Sequence, residues 1–285
     1  MTTAQDTSLN QRTGYDPDFV GPRIQVPVGV DAADAVLVHG SPVIHYTRFS
    51  LALSKSRRLC RWVAWNIDGA TLPGPDGPDT IGRDDLEFTL DGRIEPDLQI
   101  ANDVYKNNRL DRGHVARRAD LLWGRREEAL IANSDSFYFT NITPQMDNFN
   151  QSALKGIWGR LENALLTQVD EENSKVTVMG GPVLAATDPH YRDVQVPLEF
   201  WKLFVYQKDN DIRSRAFLVT QSLEGLRERD LLDEFIVVER SVQEIADKAA
   251  VEFDPALHTL QRRGRTRTPE PARSRVIGDE SDITW

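Results

Sequence analysis

Asp111-Arg112-Gly113-His114 is followed about thirty residues later by Asn141-Ile-Thr-Pro-Gln145, and then by Asn150 and Glu162. These segments bring an imidazole, neutral amide oxygens, a carboxylate and several arginines into one stretch of the chain. His114 can serve as a general base, because an ordinary imidazole pKa of about 6.5 leaves it neutral and able to take a proton from water near pH 7. Asn150 offers an amide oxygen, which suits Mg²⁺, an ion that keeps several waters and needs few protein groups. A cation so lightly neutralised stays a strong Lewis acid. With arginines, whose donor forks meet two phosphate oxygens at once, this is the inventory for hydrolysing a phosphodiester. His39, His45, His190 and His258 lack matching company and are expected to be structural.

The order of Asp-Arg-Gly-His114, Thr140-Asn-Ile-Thr-Pro-Gln145, Asn150-Gln151 and Trp158-Gly-Arg-Leu-Glu162 resembles the DNA/RNA non-specific endonucleases, the ββα-metal or His-Me finger family. Weaker resemblance extends to Arg12-Thr-Gly-Tyr-Asp-Pro-Asp-Phe19, His45-Tyr-Thr-Arg-Phe49, Val63-Ala-Trp-Asn-Ile-Asp-Gly69, Gly181-Pro182 and Val196-Pro-Leu-Glu-Phe-Trp-Lys202, so that coverage runs from about residue 12 to about residue 254. The resemblance implies an α+β fold with a ββα-metal (His-Me finger) core on a central, mainly antiparallel sheet flanked by helices. It also implies a one-metal scheme in which Mg²⁺ (or Mn²⁺), held by Asn150, contacts a phosphate oxygen and the leaving 3′ oxygen, with Glu162 acting through metal-bound waters. Arg112 and Arg93 match arginines that neutralise phosphate, and Asn141 matches an asparagine that orients the base or the metal waters. Asp111 is expected to shape a turn. DNA and RNA are the implied substrates, cut with little sequence preference to leave 5′-phosphate ends.

One spacing departs from the family. Asn150 and Glu162 are separated by about one helical turn more than in the short form, and at roughly 100° per residue the two side chains of a single helix would point about 120° apart. The surface-carboxylate reading of Glu162 therefore stays open, as do a helix cap for Asn150 and a turn role for Asn141. Two other functions compete with a nuclease: a catalytically weak nucleic-acid-binding protein on the same fold, and a phosphodiesterase for small substrates.

With 285 residues, 40% hydrophobic and 27% charged, the chain can bury a sizeable core, and neither disorder nor a membrane protein is indicated. Its net charge of −10 argues against gripping nucleic acid with the whole surface. Local sign runs the other way: Lys106, Arg109, Arg112, Arg117, Arg118, Arg125 and Arg126 face Asp111 and Asp120 within one segment. Cys60, the single cysteine, sits in a strand-like run and reads as a small buried hydrophobe. No basic and apolar leader opens the sequence, so a cytoplasmic protein, or one exported by a signal-peptide-independent route, is expected. An active nuclease would need restraint, which suggests an inhibitor or immunity protein; a homodimer is compatible with the sequence.

The elements that must position these groups follow from periodicity. Residues 1–40 read as a polar, turn-rich lead-in, 41–255 as the catalytic domain, and 256–285 as a flexible arginine-rich tail with auxiliary nucleic-acid contact open to it. Ile44 to Asn66 predicts two strands joined near Lys55-Ser56, and Leu72 to Pro78 a loop. Phe88-Thr-Leu and Phe137 to Asn141 have strand character. Gln151 to Val169 predicts a helix with one apolar stripe through Leu154, Ile157, Trp158, Leu161 and Leu165. Lys175 to Met179, Trp201 to Tyr206 and Arg215 to Thr220 read as core strands, and Ser241 to Ala250 as a helix opened by a capping box with Glu244.

Overall fold

The computed structural model describes residues 8–73, 80–83, 86–150, 158, 161–162, 174–208, 211–223, 236–263 and 275–277. Its main strands are Ile44–His45 (β1), Phe49–Leu53 (β2), Cys60–Asp68 (β3), Leu110–His114 (β4), Ile142–Met146 (β5), Lys175–Val183 (β6), Glu199–Lys208 (β7), Asp211–Thr220 (β8), Ile236–Arg240 (β9) and Arg275–Ile277 (β10). The helices are Arg126–Asp135 (α1), Asp147–Asn150 (α2), Val242–Ala249 (α3) and Pro255–Arg263 (α4). Eight strands form one sheet in the order β10-β9-β8-β7-β6-β3-β2-β1, with every neighbouring pair antiparallel.

Alternation along β7 sends side chains to two different cores. Trp201, Leu203 and Val205 join a cluster with Val242, Ile245 and Ala249 of α3 and Leu257 and Leu260 of α4. Phe200, Phe204 and Tyr206 join the opposite cluster, which holds Trp65, Val115, Phe149 and Trp158 and lies under the motif region. Each large side chain fully buried this way contributes about 1.5–3 kcal/mol. The α3 helix starts as expected: the Ser241 hydroxyl accepts from the Glu244 backbone and Glu244 reaches back to the Ser241 N–H.

Apart from the main sheet, β4 pairs with β5 from Leu110↔Met146 to His114↔Ile142, and α2 follows β5 without a break. This is the ββα arrangement. Gly113 is needed at its centre, since a Cβ there would lie 2.1 Å from Oε1 of the buried Gln145 on the facing strand.

Several elements depart from their sequence reading. Leu9, Tyr15, Ile24, Val36 and Val38 are buried, so residues 8–40 are part of the packed body, their apolar groups being too sparse to show a period. Phe137 to Asn141 is not a strand: its aromatic rings pack into the core on a 3₁₀ turn at Phe139–Asn141, and pairing begins at Ile142. Of Phe88 to Leu90, Thr89 alone makes a bridge, to Tyr138. Beyond Pro255 the chain forms α4, whose Leu257 and Leu260 are buried, and then β10, which pairs with β9. The α1 helix has exposed Leu130 and Ile131, and no apolar stripe announced it. Most of Gln151 to Val169 and of the loop at Leu72 to Pro78 lies outside the described residues; Trp158, Leu161 and Glu162 are helical and buried.

Gly113→Ala is expected to lower the unfolding free energy by about 1–3 kcal/mol, read from a urea midpoint, because the added methyl must displace a packed glutamine. An unchanged midpoint would mean that Gln145 yields freely.

Candidate active site

His114 ends β4, held by its pairing with Ile142. The imidazole is partly buried against Phe137, edge-on at 5.3 Å between centroids, and Phe88 at 5.7 Å, and its buried Nε2 has no hydrogen-bond partner among the described residues. Burial, with Arg83 and Arg118 nearby, holds its pKa down at about 3. The ring is therefore a neutral base throughout the physiological range.

The position of this strand end is set by Asn141. Its fully buried amide donates to Ala116 O at 3.0 Å and Ser136 O at 3.1 Å, and its oxygen accepts from Ala116 N at 2.9 Å. Both atoms of the amide are thus engaged by backbone, at Ala116 two residues past His114 and at Ser136. That geometry ties the backbone just past His114 to Asn141.

Asn150 lies at the end of α2, and its amide nitrogen donates to Asp111 Oδ2 at 2.9 Å. Asp111 sits within β4 and so orients an asparagine, where a turn-shaping role was expected. With its nitrogen on Asp111, the amide oxygen of Asn150 is the atom that could serve a cation. Among the described residues no group of three or more His, Cys, Asp and Glu could hold a metal ion. The available donors fit a hard ion that keeps its waters, and do not fit a fully protein-ligated soft metal.

Glu162 is 7% exposed and touches two cations, with a close hydrogen bond from Lys202 Nζ to Oε1 and Arg117 Nε at 3.7 Å from Oε2. Arg117 stands three residues after His114, so Glu162 does reach the base end of the hairpin despite the longer connection. Asp120 lies in the same buried cluster, accepting from Trp65 Nε1 at 3.0 Å, and burial pushes its carboxyl up to about 6 against the pull of Arg117.

The arginines divide into two groups. Arg93 is spent inside the protein: its side chain is 6% exposed, forks onto Asp91 and lies over the Tyr46 ring. Such a guanidinium differs from the expected phosphate contact, because an incoming phosphate would have to displace a buried carboxylate. Arg109 pairs with Asp147, Arg125 with Glu128 and Lys106 with Asp103. Arg112, by contrast, bonds Asn102 Oδ1 through Nε at 2.8 Å and lies over the rings of Tyr105 and Phe88. Arg118 bonds Ile81 O and Asn133 Oδ1. Neither Arg112 nor Arg118, nor the exposed Arg83, has a carboxylate partner among the described residues.

Arg83 and Asp120 carry no sequence signal that singles them out. Lys202 does carry one, as a charged residue inside the apolar strand run Glu199 to Tyr206.

The geometry agrees with relationships to known proteins. A profile of the DNA/RNA non-specific endonuclease family matches residues 33–260. The uncharacterized protein y4fB of Sinorhizobium fredii is 35% identical over 229 residues, covering 74% of this chain and 33% of the relative. A nuclease of Nostoc sp. is 25% identical over 55% of this chain and 52% of its own length, and human mitochondrial endonuclease G is 26% identical over 68% and 64%. The chain thus spans about a third of the first relative and about half of the second. The solved EndoG/EndoGI complex contains a chain that superposes with a TM-score of 0.58 at 20% identity, over 79% of this chain and 90% of that one, which supports the fold. The chain belongs to the DNA/RNA non-specific endonuclease family.

Proposed function

We infer that this chain is a divalent-metal-dependent endonuclease that hydrolyses phosphodiester bonds of DNA and RNA with little sequence preference. The observation that carries the reading is the set of arginines around His114 with no carboxylate partner among the described residues, in a chain whose net charge is −10 and whose other arginines are largely paired. An anion completes such a site. A phosphodiester lies within reach of the base, and its contacts to guanidinium groups read phosphate rather than base edges, which accounts for weak sequence preference.

In this reading His114 takes a proton from the attacking water as the new P–O bond forms, and the P–O3′ bond breaks, the departing oxygen taking a proton from solvent, to leave a 5′-phosphate and a 3′-hydroxyl. Arg112, Arg83 and Arg118 offset the charge that grows on the phosphoryl oxygens. Asn150 would hold Mg²⁺ or Mn²⁺ through its amide oxygen, and the ion would supply charge relief at the phosphate and the departing oxygen. Glu162 would orient waters on that ion, and Asn141 keeps His114 in place through the backbone. Arg93 supports the core behind the site and takes no part in phosphate contact. Restraint by an inhibitor or immunity partner belongs to the proposal, since unrestrained cleavage would damage the host.

Incubation of supercoiled plasmid and RNA with purified protein tests this directly. Nicking in Mg²⁺ that stops in EDTA is expected, and His114→Ala should lose about 10²- to 10⁴-fold in rate while still retarding DNA in a gel. Retarded but uncut plasmid with the wild-type chain would favour a binding protein.

The base also predicts a pH dependence. A folded-state pKa near 3, below the unfolded value of about 6.5, keeps the imidazole neutral in mild acid, so the acid limb of the pH–rate profile should fall well below pH 6.5. The unfolded chain binds this proton first, so His114 should cost stability progressively as pH drops from about 6.5 toward 3. Thermal melts of wild type and His114→Gln across that interval should converge on acidification relative to their neutral-pH difference if the mutant escapes the penalty. Parallel curves would reject the assignment.

A further inference from the structure

Lys202 lies within β7 with its side chain 1% exposed. An ammonium group loses its hydration at such a site unless countercharge and hydrogen bonds replace it. Glu162 Oε1 accepts from Nζ, and the rings of Trp158 and Trp65 lie 4.1 Å and 5.5 Å from it. Asp120 and Arg117 complete the cluster: two carboxylates and two cations whose formal charges cancel.

The two sides of the Lys202–Glu162 pair are anchored differently. Glu162 follows Asn150 by 12 residues, about one turn more than in the family's short form, a spacing that on one continuous helix would turn the two side chains apart. Lys202 stands on a strand paired on both sides, opposite Gly180 of β6 and Phe217 of β8. Its place is thus independent of that connection. Without Lys202, and with Arg117 at 3.7 Å as its remaining cation, Glu162 would also be a better ligand than the neutral Asn150 for any divalent ion nearby.

We propose that Lys202 is a positioning residue for Glu162, locking the carboxylate in place and neutralising it so that it acts through water and does not capture the cation. This rests on the metal-dependent nuclease reading. The outcome differs from that of a merely structural lysine, whose loss would weaken metal binding and turnover together. Without Lys202 the cation should bind more tightly while turnover falls.

The test compares Lys202→Met, Lys202→Arg, Glu162→Gln and the double variant Lys202→Met/Glu162→Gln in the full chain, after thermal melts establish folding. Calorimetric titration with Mn²⁺, without nucleic acid, should show Kd lower by about threefold or more in Lys202→Met. Plasmid cleavage should show kcat lower by about tenfold or more, with Lys202→Arg restoring most of it. The double variant should cleave as Glu162→Gln does, because a residue acting through Glu162 has nothing left to act on. Unchanged or weaker Mn²⁺ binding in Lys202→Met, or a double variant that loses the product of both single losses, overturns the proposal. If Lys202→Met does not fold, the comparison of Glu162→Gln with the double variant, whose buried pair is removed from both sides, decides by the same criterion. A wild-type chain that binds Mn²⁺ but cuts nothing would fail the nuclease reading, and the titration would still judge Lys202.

Discussion

The pairing of β4 with β5 is the constraint on which the site depends. It joins Asp-Arg-Gly-His114 to a segment about thirty residues away and is separate from the main sheet, so its ladder is short and its loop is long. Two features hold it. Asn141 ties the backbone after His114 to the turn before Ile142, and the missing side chain at Gly113 lets Gln145 lie flat across the partner strand. From that hairpin everything else takes its place: α2 begins where β5 ends, Asn150 turns to Asp111 of β4, and Arg112 extends between two aromatic rings.

The large sheet supplies what a two-stranded hairpin cannot, a rigid base. Trp65 of β3 and Lys202 of β7 project from one face toward Asp120 and Glu162, so the floor of the site is polar although the sheet around it is apolar. The electrostatics follow from depth. Deep charges such as Lys202, Glu162 and Arg93 are matched by opposite partners, while Arg112, Arg118 and Arg83 have no carboxylate partner among the described residues. An acidic protein can therefore present a local positive field where its overall charge would repel a polyanion.

Much of the fold was legible because its central strands are apolar runs rich in β-branched and aromatic residues. Such runs marked β3, β6, β7 and β8, and the Ser241–Glu244 box marked the start of α3. Reading failed where an apolar run is buried without being extended. Phe137 to Phe139 looks like a strand because it is apolar and aromatic, but its rings fill the core from a 3₁₀ turn. Within the site, the motif order gave His114, Arg112, Asn141, Asn150 and Glu162 as residues to look at, but not how each is occupied. Whether an arginine meets a phosphate depends on whether a carboxylate has already claimed it. Asp91 claims Arg93 from two positions away, a contact that depends on the turn between them. Arg83 offers no pattern at all, and it approaches the base through tertiary structure alone.

Among the described residues, the main sheet ends at each border with a very short strand, β1 of two residues and β10 of three. Long central strands such as β6 and β7 are paired along both sides, so little unsatisfied backbone remains in register for another chain to extend. At high concentration such borders would disfavour side-by-side polymerisation of a protein with an eight-stranded core.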